Sequence, residues 1–266
     1  MAEESGDGHL QKALTTENNQ DDLIIAQERQ IEREIAETTP LISDRHEISS
    51  LQKEYADDDT VYLEKLKDLK NKYRSIRRTR GDGNCFFRAF AFAYLECLLD
   101  DKQEFNRFKE LISNMKDDLV SLGFSQFTIE DFHDTFMEVV EKVGNQISVE
   151  DLLGVFNDQN LSDYLVVYMR LITSGQLQKN SSFFASFVEG ERSMKEFCHQ
   201  EVEPMYKESD HIHIIALTTS LNVGVRIQYM DRGEGGKVNA HDFPEPTAHP
   251  KVHLLYRPGH YDILYE

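Results

Sequence analysis

The feature that most constrains this chain is a short polar loop, GDGN at residues 81–84, that leads directly into Cys85 and an almost continuous apolar stretch. Two glycines in four residues allow backbone conformations that other residues rarely adopt. In such a loop, backbone N–H groups can converge on one point and stabilise a developing oxyanion. A helix that begins at Cys85 places the thiol at the positive end of the helix dipole, which favours the thiolate. The pattern therefore predicts a nucleophilic cysteine.

The same residues also have a purely structural interpretation. Asp82 or Asn84 could cap the helix, and Cys85 could be a small buried apolar residue, as most free cysteines are. The two interpretations differ in whether a base lies near the thiol. A partner base must come from another segment of the chain.

The best candidate for that base lies near the C-terminus, where Pro258-Gly259 separates two runs rich in aliphatic and aromatic residues. This arrangement predicts a β-hairpin. Side chains two positions apart on a strand share a face, so His260 and Asp262 would lie side by side. His260 could accept the thiol proton while Asp262 fixes its tautomer and orientation. The alternative is a histidine that makes only local hydrogen bonds.

Together, the two segments resemble the ovarian-tumour (OTU) family of cysteine deubiquitinases, and in particular the otubains with a long helical N-terminal arm. The resemblance extends from about Ile24 to the C-terminus, which makes it far more specific than a single motif. It is carried, in order and at similar spacing, by FTIEDF (127–132), SDYLVVY (162–168), KEFC (195–198), EVEP (201–204), YMDRGEGG (229–236) and RPGHYDILY (257–265).

The resemblance implies an α+β fold, papain-like, rich in helices and with a small C-terminal β-sheet. It implies that Cys85 is the nucleophile, His260 the general base and Asp262 the residue that orients the histidine. It implies no cofactor and no metal.

Asp82 matches an acidic residue that the family counts among its catalytic residues, in the oxyanion loop with Gly83 and Asn84. A carboxylate aimed at an oxyanion would hinder catalysis. We therefore expect Asp82 to face loop amides, leaving other backbone N–H groups, including that of Cys85, toward the substrate. The family often has proline where this chain has Gly81, a change that removes no chemical group.

The function that the resemblance implies is thiol-dependent hydrolysis of isopeptide bonds in polyubiquitin chains, of the linkage that targets proteins to the proteasome. It also implies binding to ubiquitin-conjugating enzymes and inhibition of ubiquitin transfer without the cysteine. The alternative is a chain that acts primarily as this non-catalytic inhibitory module. The candidate contacts to ubiquitin or a partner are Ile24, Ile31, Phe132 and Phe187.

Composition fits an intracellular enzyme. The formal net charge of −19 argues against nucleic-acid binding, which needs a positive surface. The three cysteines, Cys85, Cys97 and Cys198, are an odd number in a chain without an apolar leader, which favours a reducing compartment. No segment approaches the roughly 20 apolar residues of a membrane span. We expect a cytoplasmic protein that also enters the nucleus.

Ligand-type residues elsewhere do not predict a metal site. Cys198-His199 and the pair His211 and His213 lack the paired spacings of zinc motifs. On a helix, His211 and His213 would also point to different faces. Cys97 is interpreted as a core residue.

The chain divides into a disordered acidic tail (1–21), an amphipathic arm helix (22–38) and an OTU catalytic domain (39–266). The helix from Cys85 should be the central buried one. The basic run 65–80 is interpreted as a solvated helix face; the alternative is that part of it steers the substrate or supports the thiolate. Residues 231–236 and 243–246 are interpreted as flexible surface able to contact a protein substrate. The remaining predicted elements are helices beyond Ser43 or Asp44, at 59–75, within 105–174, at 181–198 and at 211–221, and strands at 223–229, 252–256 and 260–265.

Overall fold

The computed structural model describes residues 26, 27, 30, 31, 34–233, 235–245 and 249–266. The chain divides into two compact units, Met1–Pro40 and Leu41–Glu266. In the first unit, residues 26, 27, 30, 31 and 34–38 are helical, in agreement with the predicted arm helix. The predicted acidic tail, 1–21, lies outside the described residues. Among the described helices, none is long and apolar enough to cross a membrane.

The described part of the second unit is mainly helical. Its α-helices are α1 (Thr60–Lys70), α2 (Cys85–Leu98), α3 (Lys102–Ser121), α4 (Gln126–Gly144), α5 (Val149–Asn157), α6 (Gln159–Lys179), α7 (Ser181–Phe184), α8 (Met194–Phe197) and α9 (His211–Leu221). Two 3₁₀ helices span Ile48–Glu54 and Ala185–Phe187, and a π-helical turn spans Cys198–Val202.

A single six-stranded sheet completes the α+β fold that the sequence predicted. Its strands are β1 (His46–Glu47), β2 (Ser75–Arg77), β3 (Val225–Tyr229), β4 (Asn239–Phe243), β5 (Val252–Arg257) and β6 (His260–Tyr265). The order is β1-β2-β6-β5-β3-β4, and every neighbouring pair is antiparallel except β3 and β5. The predicted strands correspond to β3, β5 and β6.

Helix α2 is the central buried helix, as predicted. All of its residues are buried except Glu96 and Cys97, because alanine and phenylalanine occupy most of its circumference. It packs against β6, α5 and α6. The rings of Phe86 and Tyr261 meet edge to face with centroids 5.3 Å apart. This contact ties the start of α2 to the strand that carries His260.

The β5–β6 hairpin confirms the predicted turn. Arg257 pairs with His260 across it, which leaves Pro258 and Gly259 as the two turn residues. Gly259 has a φ of +76°, the left-handed conformation that glycine adopts without steric cost. The turn therefore fixes where β6 begins, and His260 is its first residue.

Three helix predictions were wrong in extent. The helix expected beyond Ser43 or Asp44 is the short 3₁₀ helix Ile48–Glu54, and the helix expected at 59–75 ends at Lys70. Residues 75–77 instead pair with the C-terminal strand. The helix expected at 181–198 ends at Phe187. A turn containing Gly190, at φ +80°, follows, and the helix restarts at Met194, where Ser193 and Glu196 form a capping box.

The interpretation of the basic run as a solvated face was wrong for Lys65 and Arg77, whereas Lys67, Lys72 and Arg74 are exposed. Lys65 is buried and donates hydrogen bonds to Asp231 O at 2.7 Å and to Asp231 Oδ1 at 2.9 Å. These bonds anchor the loop that begins at Asp231. Arg77 is likewise buried, and Phe243, expected on the surface, is the buried end of β4.

Candidate active site

Cys85 is the first residue of α2 and is only 4% exposed. The first amides of a helix have no acceptor within the helix, so the thiol lies where N–H groups and the helix dipole favour a negative charge. The preceding residue, Asn84, is the N-cap but does not cap the helix with its side chain. Its side-chain amide instead bonds Arg170 and the backbone of Tyr206.

Asp82 faces a loop amide and Arg88. Its Oδ1 accepts hydrogen bonds from the backbone N–H of Asn84 and from Arg88 Nη1, both at 2.9 Å. Its Oδ2 lies 2.8 Å from Arg88. Arg88 is fully buried on α2, one turn after the cysteine. The carboxylate therefore stabilises the loop by connecting the Asn84 backbone to the Arg88 side chain of α2.

Asn84 links the cysteine loop to a second loop. Its Oδ1 accepts hydrogen bonds from Arg170 Nη2 at 2.9 Å and from the backbone N–H of Tyr206 at 3.0 Å. Arg170 Nη2 also reaches Gly83 O at 3.0 Å and Lys207 O at 2.7 Å. One buried guanidinium from α6 thus connects the loop before the nucleophile to residues 206–207.

Arg170 carries its charge in a fully buried position. Its Nη1 donates to Val202 O at 3.0 Å, and its guanidinium lies 4.6 Å from the ring centroid of Phe87. Burial lowers the pKa of Arg170 to about 10 although the charges of Asp82 and Cys85 oppose this change. The side chain remains cationic at neutral pH and adds positive potential beside the thiol.

Gly83 allows the two loops to approach each other closely. Its φ is +73°, and a Cβ atom built on it would lie 2.4 Å from Tyr206 O. Tyr206 is itself left-handed, with a φ of +66°. Only glycine fits both the backbone conformation and the space at position 83.

We predict that Gly83→Ala lowers the free energy of unfolding by about 2 to 4 kcal/mol, the sum of a left-handed alanine and a steric clash. The matched control is Gly190→Ala: Gly190 has a φ of +80°, but a Cβ atom there meets nothing within 4 Å. It should cost only about 1 to 2 kcal/mol. Chemical denaturation of both variants tests this difference, and equal losses would contradict the proposed contact between the loops.

His260 and Asp262 lie side by side, as predicted. His260 Nε2 is 2.9 Å from Asp262 Oδ1, and the histidine also hydrogen-bonds Cys85. Because Nε2 is engaged by the carboxylate, Nδ1 is the nitrogen that remains available to the thiol. Asp262 is fully buried, and its Oδ1 accepts a second bond from the backbone N–H of Thr79 at 2.9 Å. The three side chains form a continuous relay.

The surroundings favour an imidazolium. Burial opposes the charged ring, but hydrogen bonds to Asp262 and Cys85 and the charges of both groups raise the pKa of His260 to about 10. Burial would likewise raise the pKa of Asp262, yet the hydrogen bond and charge of His260 and the charge of Arg257 hold it below its usual value. At neutral pH His260 is therefore an imidazolium and Asp262 a carboxylate.

A cavity of about 470 Å³ opens beside His260. Two acidic and two basic side chains line it together with the stacked rings of Tyr55 and Tyr62, whose centroids are 4.7 Å apart. The lining residues that bear on the site are Glu54, Asp59, Arg232 and Arg257. The cavity leaves room for a substrate group next to the His260 ring.

The predicted contact residues lie on separate elements. Ile24 is outside the described residues, and Ile31, in the arm, is 48% exposed. Phe132, on α4, packs against Tyr164 with ring centroids 4.9 Å apart and the ring planes tilted by 50°. Phe187 is exposed on the 3₁₀ helix that follows α7. Their role in binding remains a prediction.

The other cysteines differ from Cys85. Cys97 is on the exposed side of α2, so its assignment to the core was wrong; local enclosure and Glu96 raise the pKa of its thiol to about 11. Cys198 is buried, and burial raises its pKa to about 11. Among the described residues, no group of three histidine, cysteine or acidic side chains is arranged to hold a metal ion.

Sequence analysis did not identify three arginines at the site. Arg88 and Arg170 are fully buried, and Arg257 bonds the Asp262 carboxylate. The only available signal was an arginine within otherwise apolar helical stretches, which predicts a buried partner without identifying it.

Comparisons with known proteins agree on one family. The peptidase C65 otubain family model matches residues 34–266. The chain is 62% identical over 246 residues to ubiquitin thioesterase OTUB1 of Homo sapiens, which covers 92% of this chain and 90% of that protein. It is 35% identical to the otubain-like ubiquitin thioesterase of Caenorhabditis elegans, with 97% and 92% coverage. Among solved structures, the h/ceOTUB1–ubiquitin aldehyde–UBCH5B~Ub complex matches with a TM-score of 0.87 and 37% identity, covering 93% of this chain and 98% of that chain.

Proposed function

The chain belongs to the otubain family of peptidases, and from this premise we propose that it is a cysteine-dependent deubiquitinase that hydrolyses isopeptide bonds at the C-terminus of ubiquitin. The observation that carries the proposal is the bonded relay of Cys85, His260 and Asp262. A thiol, a base and an orienting carboxylate in this order are the elements of nucleophilic acyl transfer. The relatives named ubiquitin thioesterases indicate the substrate.

In the proposed mechanism each group has its own step. The Cys85 thiolate attacks the isopeptide carbonyl, and the amides at the start of α2 stabilise the tetrahedral anion. His260, protonated on Nδ1, gives that proton to the departing lysine amine. Water then hydrolyses the acyl-enzyme, with His260 as the general base. Asp262 holds the ring through Nε2 in both steps.

The test of the proposed activity is to incubate the unmutated protein with diubiquitins of each lysine linkage. We expect hydrolysis, with a preference for the linkage that targets proteins to the proteasome, an expectation that rests on family likeness. Cleavage of a different linkage instead would contradict the expected linkage preference but would still support the deubiquitinase activity. Failure to cleave any of them would contradict the proposed activity.

A second function, inhibitory binding to ubiquitin-charged conjugating enzymes, is supported by the h/ceOTUB1 complex with UBCH5B~Ub. Within the arm, Ile31 and Ile35 are 48% and 45% exposed. Residues four apart on a helix share a face, so the two isoleucines offer one apolar strip to a partner. We propose that this strip contacts the conjugate, in the cytoplasm and the nucleus.

We predict that deleting residues 1–38 releases a conjugating enzyme from inhibition while Cys85 stays reactive, because the nucleophile and its relay lie wholly in the second unit. Ile31→Arg should weaken inhibition in the same direction, and Gln30→Ala, on another face, serves as the control. The measurement is ubiquitin-chain synthesis at increasing inhibitor concentration. Full inhibition by the truncated chain would rule out a role for the arm.

A further inference from the structure

A chain of ion pairs leads away from the catalytic relay. The Asp262 carboxylate uses Oδ1 for His260 and Thr79, and its Oδ2 accepts a hydrogen bond from Arg257 Nη2 at 2.6 Å. Asp262 has no solvent exposure, so water cannot replace a lost protein donor at Oδ2. Arg257 thus bonds the carboxylate oxygen that the histidine does not use.

Arg257 is itself held from the other side. Its Nη1 donates to Glu54 Oε2 at 2.6 Å. The second oxygen of Glu54 accepts from Arg78 Nε at 2.8 Å and from Arg78 Nη2 at 2.6 Å. Because the guanidinium is planar and its two donors are fixed relative to each other, Arg257 cannot rotate without losing one of its carboxylates.

We propose that Arg257, clamped by Glu54, is a positioning residue that fixes the Asp262 carboxylate with Oδ1 toward His260. This inference rests on the proposed hydrolase function. The terminal torsion of an aspartate is broad and nearly two-fold, so the carboxylate needs an external constraint to present one oxygen in one direction. The charge of Arg257, on a side chain that is 19% exposed, also favours the ionised form of Asp262.

The sheet contains a second arginine–aspartate pair that serves as a matched control. Arg226 on β3 donates to Asp242 on β4 at 2.7 and 2.8 Å. This pair spans neighbouring strands of the same sheet and is partly exposed. Its loss removes an ion pair of the same chemistry without touching the relay.

The first test compares Arg257→Met with Arg226→Met on a fluorogenic ubiquitin C-terminal amide. Arg257→Met should lower kcat on the order of 10- to 100-fold, the usual value of a hydrogen bond to a buried charge, with KM changed less than about twofold. Arg226→Met should leave both constants within about twofold. Arg257→Lys, which keeps the charge but lacks the planar guanidinium with its two fixed donors, should recover part of the rate.

The decisive test is a double-mutant cycle with Asp262→Asn. An asparagine has one oxygen, which cannot occupy both the Oδ1 position beside His260 and the Oδ2 position beside Arg257, so removal of the arginine should then cost less than about threefold. The same loss in both backgrounds, or no loss in either, would overturn the proposal. If the methionine variant does not fold, the cycle with Arg257→Lys decides the question.

Iodoacetamide alkylation of Cys85, followed by peptide mass spectrometry, separates failure of this inference from failure of the proposed function. It needs no ubiquitin and reports only the activated thiol. The alkylation rate should fall in Arg257→Met and not in Arg226→Met. An intact chain that alkylates fast but leaves ubiquitin amides uncut would contradict the proposed function and leave the positioning role standing.

Discussion

Cys85→Ser is expected to abolish isopeptide hydrolysis, lowering kcat/KM by about 10⁴-fold or more. Serine keeps the size and the position at the start of α2 but replaces a thiolate with a hydroxyl that the His260 imidazolium cannot activate as a base. The measurement is the rate of diubiquitin cleavage followed over hours. Binding of ubiquitin should persist, since the substitution leaves the surface unchanged.

The matched control for this prediction is Cys97→Ser on the same helix. Cys97 is on the exposed side of α2 with its thiol pKa raised to about 11, so it has little thiolate at neutral pH. Its replacement should leave turnover within about twofold. Unchanged turnover in Cys85→Ser, or a large loss in Cys97→Ser, would show that the nucleophile is misassigned.

His260→Ala is expected to lower kcat/KM by about 10³- to 10⁴-fold, because it removes both the partner of the thiolate and the acid for the leaving amine. The pH dependence adds a second test. Since its bonds to Asp262 and Cys85 raise the pKa of His260 to about 10, the imidazolium is present below that pH and is lost above it. Isopeptide cleavage by the intact chain should therefore persist at about pH 8 to 9.

His241→Ala, on β4, is the control for loss of an exposed histidine from the same sheet. It should leave the rate and its pH dependence unchanged. Cleavage that declines between about pH 7 and 8 in the intact chain would contradict a strongly stabilised imidazolium, and a His260→Ala variant with normal turnover would remove the histidine from the mechanism.

The hairpin and the central helix could be predicted because both are encoded locally. Pro258-Gly259 determines a turn through its own backbone preferences, and the run after Cys85 is apolar on nearly every face. The strand period then places His260 beside Asp262 without knowledge of the rest of the fold. That Asp82 would bond loop amides could be predicted because a carboxylate placed beside an oxyanion would repel it.

Elements whose partners are distant in the chain could not be predicted. Residues 75–77 have a helix-compatible sequence, but they pair with the C-terminal strand almost 190 positions later. Lys65 belongs to a charged run, yet Asp231 compensates its burial. Local propensity is a weak constraint against such tertiary bonds.

The residues that hold the site in place could not be predicted for the same reason. Arg170 contacts the cysteine loop from 86 positions away, and Glu54 reaches Arg257 across 203 positions. Neither distance leaves a periodic signature in the sequence. The nucleophile and its base were visible because their own residue types carry the chemistry, whereas the groups that hold them are defined only by contact.

The most direct test of the account is incubation with ubiquitin that carries a thiol-reactive electrophile at its C-terminus, followed by mass spectrometry. We predict one adduct, mapped to Cys85, on the intact chain, none on Cys85→Ser, and a greatly slowed reaction in His260→Ala. An intact chain that binds ubiquitin but forms no adduct, or forms it on Cys97 or Cys198, would contradict the assignment of Cys85 as a ubiquitin-directed nucleophile.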